Sequence, residues 1–144
     1  MPNVLIVGYG NPLRGDDGVG WHAAERLRGM VRDPGVEILV LHQLTPELME
    51  TISRADRVIF IDACEGEVPG EIQERTVFPA GTRAAFTHHL TPASLLAGAK
   101  ALYGQAPAAK LLTVTGADFS VSDQLSPAVS TVLDAFVQIA LRLI

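Results

Sequence analysis

The chain has 144 residues, a formal net charge of −5 and a hydrophobic fraction of 48%. This length fits a single domain, 1–144, and the acidic balance argues against a nucleic-acid partner or an anionic membrane surface. No apolar run approaches the roughly 20 residues that span a bilayer, and the amino terminus lacks a signal peptide's basic region. The single cysteine, Cys64, excludes an internal disulfide, so we expect a cytoplasmic protein.

Strands and helices are predicted to alternate along the chain, because continuous apolar runs alternate with apolar residues spaced three or four apart. In chain order, the predicted elements are strand 4–7, helix 19–31, strand 36–40, helix 46–53, strand 57–61, strand 71–78, helix 92–102, strand 111–115 and a last helix from 127. Strand 71–78 alternates polar and apolar residues, which is typical of a half-exposed edge strand. The order predicts a single-domain, three-layer α/β/α fold around a largely parallel twisted sheet, with an antiparallel edge strand.

Three of the predicted helices begin at a hydroxyl residue followed by proline. Thr45, Thr91 and Ser126 are each predicted to cap a helix, since a side-chain oxygen there accepts a hydrogen bond from a free backbone N–H. Proline is favoured at the first helical position that follows.

The segment between the first strand and the first helix is rich in glycine and carries two adjacent carboxylates, Asp16 and Asp17. A strand, a glycine turn and a helix build a site beyond the carboxyl end of a parallel strand. A phosphate-binding turn is normally neutral or basic, so the acidic pair favours a cation or a positively charged substrate group. Asp16 has a structural alternative as a helix cap, and Asp17 is the stronger candidate for the site.

A second acidic residue, Asp62, directly follows the third strand. In a sheet of order 2-1-3, as in flavodoxin-like proteins, strands 1 and 3 flank the point where ligands bind, so Asp17 and Asp62 face one crevice. His88 precedes the 92–102 helix on a loop that can close over the same edge. Two carboxylates and an imidazole suit Zn²⁺ or Ni²⁺ and leave an open coordination position.

These candidates also have purely structural interpretations. Asp62 could be a loop acid that accepts hydrogen bonds from turn amides, and one of the adjacent His88 and His89 is expected to pack or face water. Cys64 lies near Asp62, but no His/Asn pattern supports a thiol nucleophile. We therefore expect Cys64 to be a small buried thiol.

The sequence VGYGNPLRGDDGVG at 7–20 resembles the opening signature of the hydrogenase maturation proteases. These endopeptidases trim the carboxyl terminus of the [NiFe]-hydrogenase large subunit. The resemblance continues in order through HQLTPEL at 42–48, VIFIDA at 58–63, THHL at 87–90 and LSPAV at 125–129. It implies a flavodoxin- or phosphorylase-like fold and a metal-binding, catalytic set of Asp17, Asp62 and His88. A one-residue slip in the THHL motif would select His89 instead.

The resemblance also implies the substrate, a nickel-loaded large-subunit precursor that is cut once near its carboxyl terminus by a cytoplasmic monomer. Nickel is then supplied by the substrate as the recognition signal, and a resident zinc or other divalent ion is the alternative. The general base stays open between Asp16 and a carboxylate released from the ion.

Two other classes of protein compete with this interpretation. A non-catalytic maturation chaperone that holds nickel needs the same three residues, and the sequence does not separate it from a protease. A peptidyl-tRNA hydrolase-like esterase also begins with a segment resembling VGYGNP. The net charge of −5 and the Asp16-Asp17 pair disfavour an RNA-facing surface.

Overall fold

A computed structural model describes residues 3–81 and 90–144. In chain order the described elements are β1 (Val4–Tyr9), a 3-10 turn (Gly15–Gly18), α1 (Val19–Met30), β2 (Val36–Leu41), α2 (Leu48–Ser53), β3 (Arg57–Cys64), β4 (Ile72–Val77), α3 (Pro92–Tyr103), β5 (Ala108–Thr115), α4 (Pro127–Ser130) and α5 (Leu133–Leu143). The strands form one sheet in the order β2-β1-β3-β5-β4. β4 pairs antiparallel with β5, and the other pairs are parallel. The predicted α/β class, the 2-1-3 order and the antiparallel edge strand are confirmed.

The central strands β1 and β3 contain the continuous apolar runs 4–7 and 58–61, because both faces of the sheet are covered there. Side chains alternate between two cores. One core contains Ile6, Ile59 and Phe136, and the other contains Phe60 and Leu95. None of the helices in residues 3–81 and 90–144 has the length and apolar content that a membrane span requires.

Two of the three predicted hydroxyl caps are confirmed. Thr91 Oγ1 accepts a hydrogen bond from the Ser94 N–H at 3.1 Å while Ser94 Oγ accepts one from the Thr91 N–H at 2.8 Å, which is a capping box. Ser126 Oγ accepts a bond from the Val129 N–H at 3.4 Å.

The third predicted cap, Thr45, is wrong. The N–H of Leu48 bonds to the Thr45 carbonyl in a turn, so α2 begins at Leu48 and has no side-chain cap. The last helix also differs from the prediction, since it is interrupted between Ser130 and Leu133 and forms two helices, α4 and α5.

The start of α1 lies directly against the carboxyl ends of β1 and β3. This approach requires a glycine, because a Cβ at Gly20 would overlap the backbone carbonyl oxygens of Ile61 and Tyr9. The 3-10 turn that precedes α1, which carries Asp16 and Asp17, is thereby held over the ends of these two strands.

We expect Gly20→Ala to lower the free energy of unfolding by about 1–3 kcal/mol, because the added methyl group forces α1 away from backbone atoms. Gly29→Ala in the same helix is the matched control, since a Cβ there meets no atom within 4 Å. The control should raise the free energy of unfolding by about 0.5–1 kcal/mol. Urea denaturation measures both, and a Gly20→Ala protein as stable as the parent would contradict the close contact.

Candidate functional site

An open cavity of about 860 Å³ lies at the carboxyl ends of β1 and β3. Asp17 from the 3-10 turn and Asp62 from β3 both line it. The structure therefore brings together the two carboxylates that the sequence placed at neighbouring strand ends.

Short hydrogen bonds hold each carboxylate in place. Asp17 Oδ2 accepts a bond from the Asn11 N–H at 2.8 Å. Asp62 Oδ1 accepts a bond from the Ala63 N–H at 2.7 Å, and the Tyr9 hydroxyl lies near the same carboxylate. Both acids are only half-buried, so part of each carboxylate faces the cavity.

The environment of Asp62 disfavours its charged form. Burial raises the pKa of Asp62 to about 7, and the nearby negative charge of Asp17 acts in the same direction. The hydrogen bond from the Ala63 N–H and the nearby Tyr9 hydroxyl lower the pKa and offset only part of this effect. Burial and the charge of Asp62 also raise the pKa of Tyr9 well above its ordinary value, so this hydroxyl stays protonated beside Asp62.

Asp16 faces away from the cavity and is fully buried. Its carboxylate accepts four hydrogen bonds, from the N–H groups of Ala117 at 2.7 Å, Asp118 at 3.1 Å and Ser126 at 2.8 Å and from the Ser126 hydroxyl at 2.8 Å. Burial acts to raise the pKa of Asp16, but these bonds outweigh it and lower the pKa below its ordinary value.

The structure therefore argues against both roles that the sequence suggested for Asp16, a helix cap and a general base. Asp16 does not cap α1, where Gly18 occupies the capping position without any side-chain hydrogen bond. It is also unsuited to act as a general base, since four donors already occupy its oxygens and stabilise the charged form. Its place is structural, because it joins the glycine turn to the segment that follows β5.

The predicted third ligand, His88, and its alternative, His89, lie outside the described residues. Among residues 3–81 and 90–144, no three His, Cys, Asp or Glu side chains are grouped closely enough to hold a metal ion. The predicted thiol, Cys64, is half-buried rather than buried, and its Sγ lies 3.5 Å from Thr115 Oγ1.

The cavity also contains two residues that were not among the predicted site residues. Tyr9, the last residue of β1, lies beside Asp62. His42 directly follows β2 and lies edge-on to Trp21, with ring centroids 4.8 Å apart. The signal that identifies both is their position, since each stands at the carboxyl end of a strand beside the predicted crevice.

Fold and cavity together define a doubly wound α/β protein with an acidic crevice at the switch point between β1 and β3. No family model matches the sequence, and no curated protein matches it. Solved structures do match, over nearly the whole chain.

Several of these structures are hydrogenase maturation enzymes, among them the following three. The hydrogenase maturating endopeptidase HybD from E. coli has a TM-score of 0.80 and 23% identity, and the match covers 99% of this chain and 91% of HybD. The protease HycI from Thermococcus kodakarensis has a TM-score of 0.76 and 24% identity, with 97% and 90% covered. A hydrogenase 2 maturation peptidase from a Thaumarchaeota archaeon has a TM-score of 0.73 and 25% identity, with 97% and 96% covered. The chain has the fold of the hydrogenase maturation proteases, as the sequence resemblance implied.

We expect Asp16→Asn to destabilise the protein by about 3 kcal/mol, because an amide nitrogen would face backbone donors and leave them unpaired. Asp123→Asn is the control, since the Asp123 side chain is exposed and makes one 3.3 Å bond to Gln124. Because the native pKa of Asp16 is lowered, its contribution is complete above an unfolded pKa of about 4 and is lost as the pH falls through the native value.

Denaturation of the parent and Asp16→Asn proteins at pH 7 and at lower pH tests this expectation. The difference between them should be constant at neutral pH and shrink under acid conditions. A difference that grows as the pH falls would contradict the account of Asp16.

Proposed function

We propose that this chain is a hydrogenase maturation endopeptidase that removes the carboxyl-terminal extension of a nickel-loaded [NiFe]-hydrogenase large-subunit precursor. One observation carries the proposal: Asp17 and Asp62, distant in sequence, line the same cavity at the carboxyl ends of β1 and β3. The fold shared with HybD and HycI, both named as maturation enzymes, supports the same assignment.

The donor set of the cavity fits a divalent cation. A cation between Asp17 and Asp62 would compensate the burial of the Asp62 charge, which is the main cause of its raised pKa, and would relieve the smaller repulsion from Asp17. Within the described residues Asp17 accepts a single side-chain hydrogen bond, so it keeps acceptor capacity. We propose Asp17, Asp62 and His88 as the ligands, with His89 as the alternative imidazole.

The nickel in this proposal belongs to the substrate, and a resident zinc or other divalent ion is the alternative. A cation bound at this site supplies Lewis-acid polarisation of the scissile carbonyl group. The residues of the chain position the reaction: Asp17 and Asp62 would hold the cation, and a carboxylate of this pair that is released from it would take the proton from the attacking water. Asp16, which is held by four donors and has a lowered pKa, cannot take up that proton readily.

Incubation of the protein with nickel-loaded and nickel-free precursor should release a carboxyl-terminal peptide only from the loaded form. Mass spectrometry of the precursor and the peptide measures the cleavage. A nickel chaperone would bind the loaded precursor and release no peptide, and that outcome would replace the protease assignment. Equal cleavage of both forms would show that recognition of the precursor does not depend on nickel.

Asp17→Asn and Asp62→Asn should each slow processing by at least about 100-fold, because each removes a ligand charge and a carboxylate that could act as the base. Asp56→Asn is the matched control, since Asp56 directly precedes β3 and therefore lies at the other end of this strand from Asp62. Thermal melting shows whether the variants are folded. A folded Asp17→Asn or Asp62→Asn protein with full activity would contradict the role of that residue.

His88→Ala and His89→Ala decide which imidazole belongs to the site. We expect loss of processing in His88→Ala and retained processing in His89→Ala, measured by the same mass-spectrometric assay. The reverse result would shift the ligand to His89, and full activity in both variants would remove the imidazole from the proposed set.

A further inference from the structure

A second, smaller cavity of about 320 Å³ adjoins the acidic site. Its lining residues are Arg14, Asp17, Ala63, Cys64, Glu65 and Phe119. Three of them, Asp17, Ala63 and Cys64, also line the larger cavity. Asp17 and the end of β3 therefore form the wall between two cavities, and the acidic site stands at their junction.

Among residues 3–81 and 90–144, Arg14 is the one cationic side chain that lines the smaller cavity, beside the acidic side chains of Asp17 and Glu65. Its backbone is fixed, because its N–H bonds to the Asn11 carbonyl at 3.1 Å and its own carbonyl accepts a bond from the Asp17 N–H at 3.1 Å. The side chain is exposed, and within residues 3–81 and 90–144 it takes part in none of the ion pairs. The guanidinium therefore keeps its donors for a ligand.

Phe119 also lines the cavity and comes from a different part of the chain. The two segments are bonded together, since Gly15 N–H donates to the Ser122 carbonyl at 2.9 Å and the Ser122 N–H donates to the Leu13 carbonyl at 3.0 Å. The four bonds to Asp16 join the same segments. The cavity is thus formed before any ligand arrives, which lowers the entropic cost of binding.

An endopeptidase holds its substrate on both sides of the bond that it cuts. If cleavage occurs beside Asp17 and Asp62, the substrate chain passes from one cavity to the other at these residues. The substrate segments on the two sides of the scissile bond then occupy one cavity each. A volume of about 320 Å³ lies at the lower end of the range for ligand sites, which suits a short peptide segment.

On the basis of the proposed function, we propose that the smaller cavity is a substrate subsite in which Arg14 binds a carboxylate of the peptide segment on one side of the scissile bond. The planar guanidinium matches a carboxylate with two parallel hydrogen bonds. Phe119 packs against the apolar part of the same segment.

Steady-state processing of the nickel-loaded large-subunit precursor encoded in the same genome tests the role of Arg14. Arg14→Ala should raise KM by at least about tenfold and change kcat by less than about twofold, because the lost contact holds substrate and transition state alike. Arg32→Ala is the control, since Arg32 is exposed and lines neither cavity. An unchanged KM in Arg14→Ala overturns the subsite.

Changing each acidic residue near the cleaved bond of the precursor to its amide identifies the partner of Arg14. One such change should raise KM for the parent enzyme and leave KM unaltered for Arg14→Ala, as expected of a coupled pair. Additive effects at every acidic position, or a processed precursor without an acidic residue near the bond, overturn the carboxylate assignment.

Alkylation of Cys64 reports occupancy without any cleavage, because it is the only cysteine of the chain and lines both cavities. Two synthetic peptides, one from each side of the cleaved bond and with serine in place of cysteine, serve as probes against N-ethylmaleimide. One peptide should slow alkylation in the parent protein and slow it much less in Arg14→Ala. Equal protection in both proteins, or none, overturns the subsite.

The outcomes separate the subsite from the proposed function. Failure of the parent protein to cleave loaded precursor overturns the endopeptidase assignment, whatever Arg14→Ala does. Cleavage by the parent protein with an Arg14→Ala variant of equal KM leaves that assignment standing and removes only the subsite.

Discussion

The buried carboxylate of Asp16 is the interaction on which the geometry of the site depends. A carboxylate removed from water is costly unless donors replace its solvation, and here three backbone N–H groups and one hydroxyl do so. These donors come from the segment after β5 and from the start of α4. These bonds therefore fix the glycine turn to the segment that follows β5 and to the start of α4. The next residue, Asp17, is held in place with the turn.

Adjacent acids in one turn consequently serve different purposes. Asp16 points inward, where its hydrogen bonds lower its pKa and keep it charged. Asp17 lines the cavity, where its charge helps to raise the pKa of Asp62 to about 7. The pKa values of Asp16 and Asp62 are thus shifted in opposite directions by their surroundings. Carboxylates with opposite pKa shifts are typical of functional sites.

The sheet order and the meeting of Asp17 with Asp62 were predictable from the sequence. Apolar runs identify the strands, and in a 2-1-3 sheet the carboxyl ends of strands 1 and 3 lie side by side, although β3 extends past Asp62 to Cys64. The partners of Asp16 were not predictable, because most are backbone N–H groups about a hundred positions away and no side-chain pattern marks them. The smaller cavity depends on the same long-range contacts. The role of His88 stays a prediction.

A hydroxyl residue followed by proline predicted a helix cap correctly at two of three positions. Thr91 and Ser126 precede helices whose first turns are free to bond to a hydroxyl. Thr45 carries the same Thr-Pro signal, but a backbone turn precedes α2 and moves its start to Leu48.

The central claim is that Asp17 and Asp62 bind one divalent cation together. Anomalous diffraction from crystals of the protein soaked in nickel measures this directly. The account predicts a single strong peak in the cavity at the ends of β1 and β3, within coordination distance of both carboxylates. A peak elsewhere, or one that contacts only one of the two acids, would contradict it.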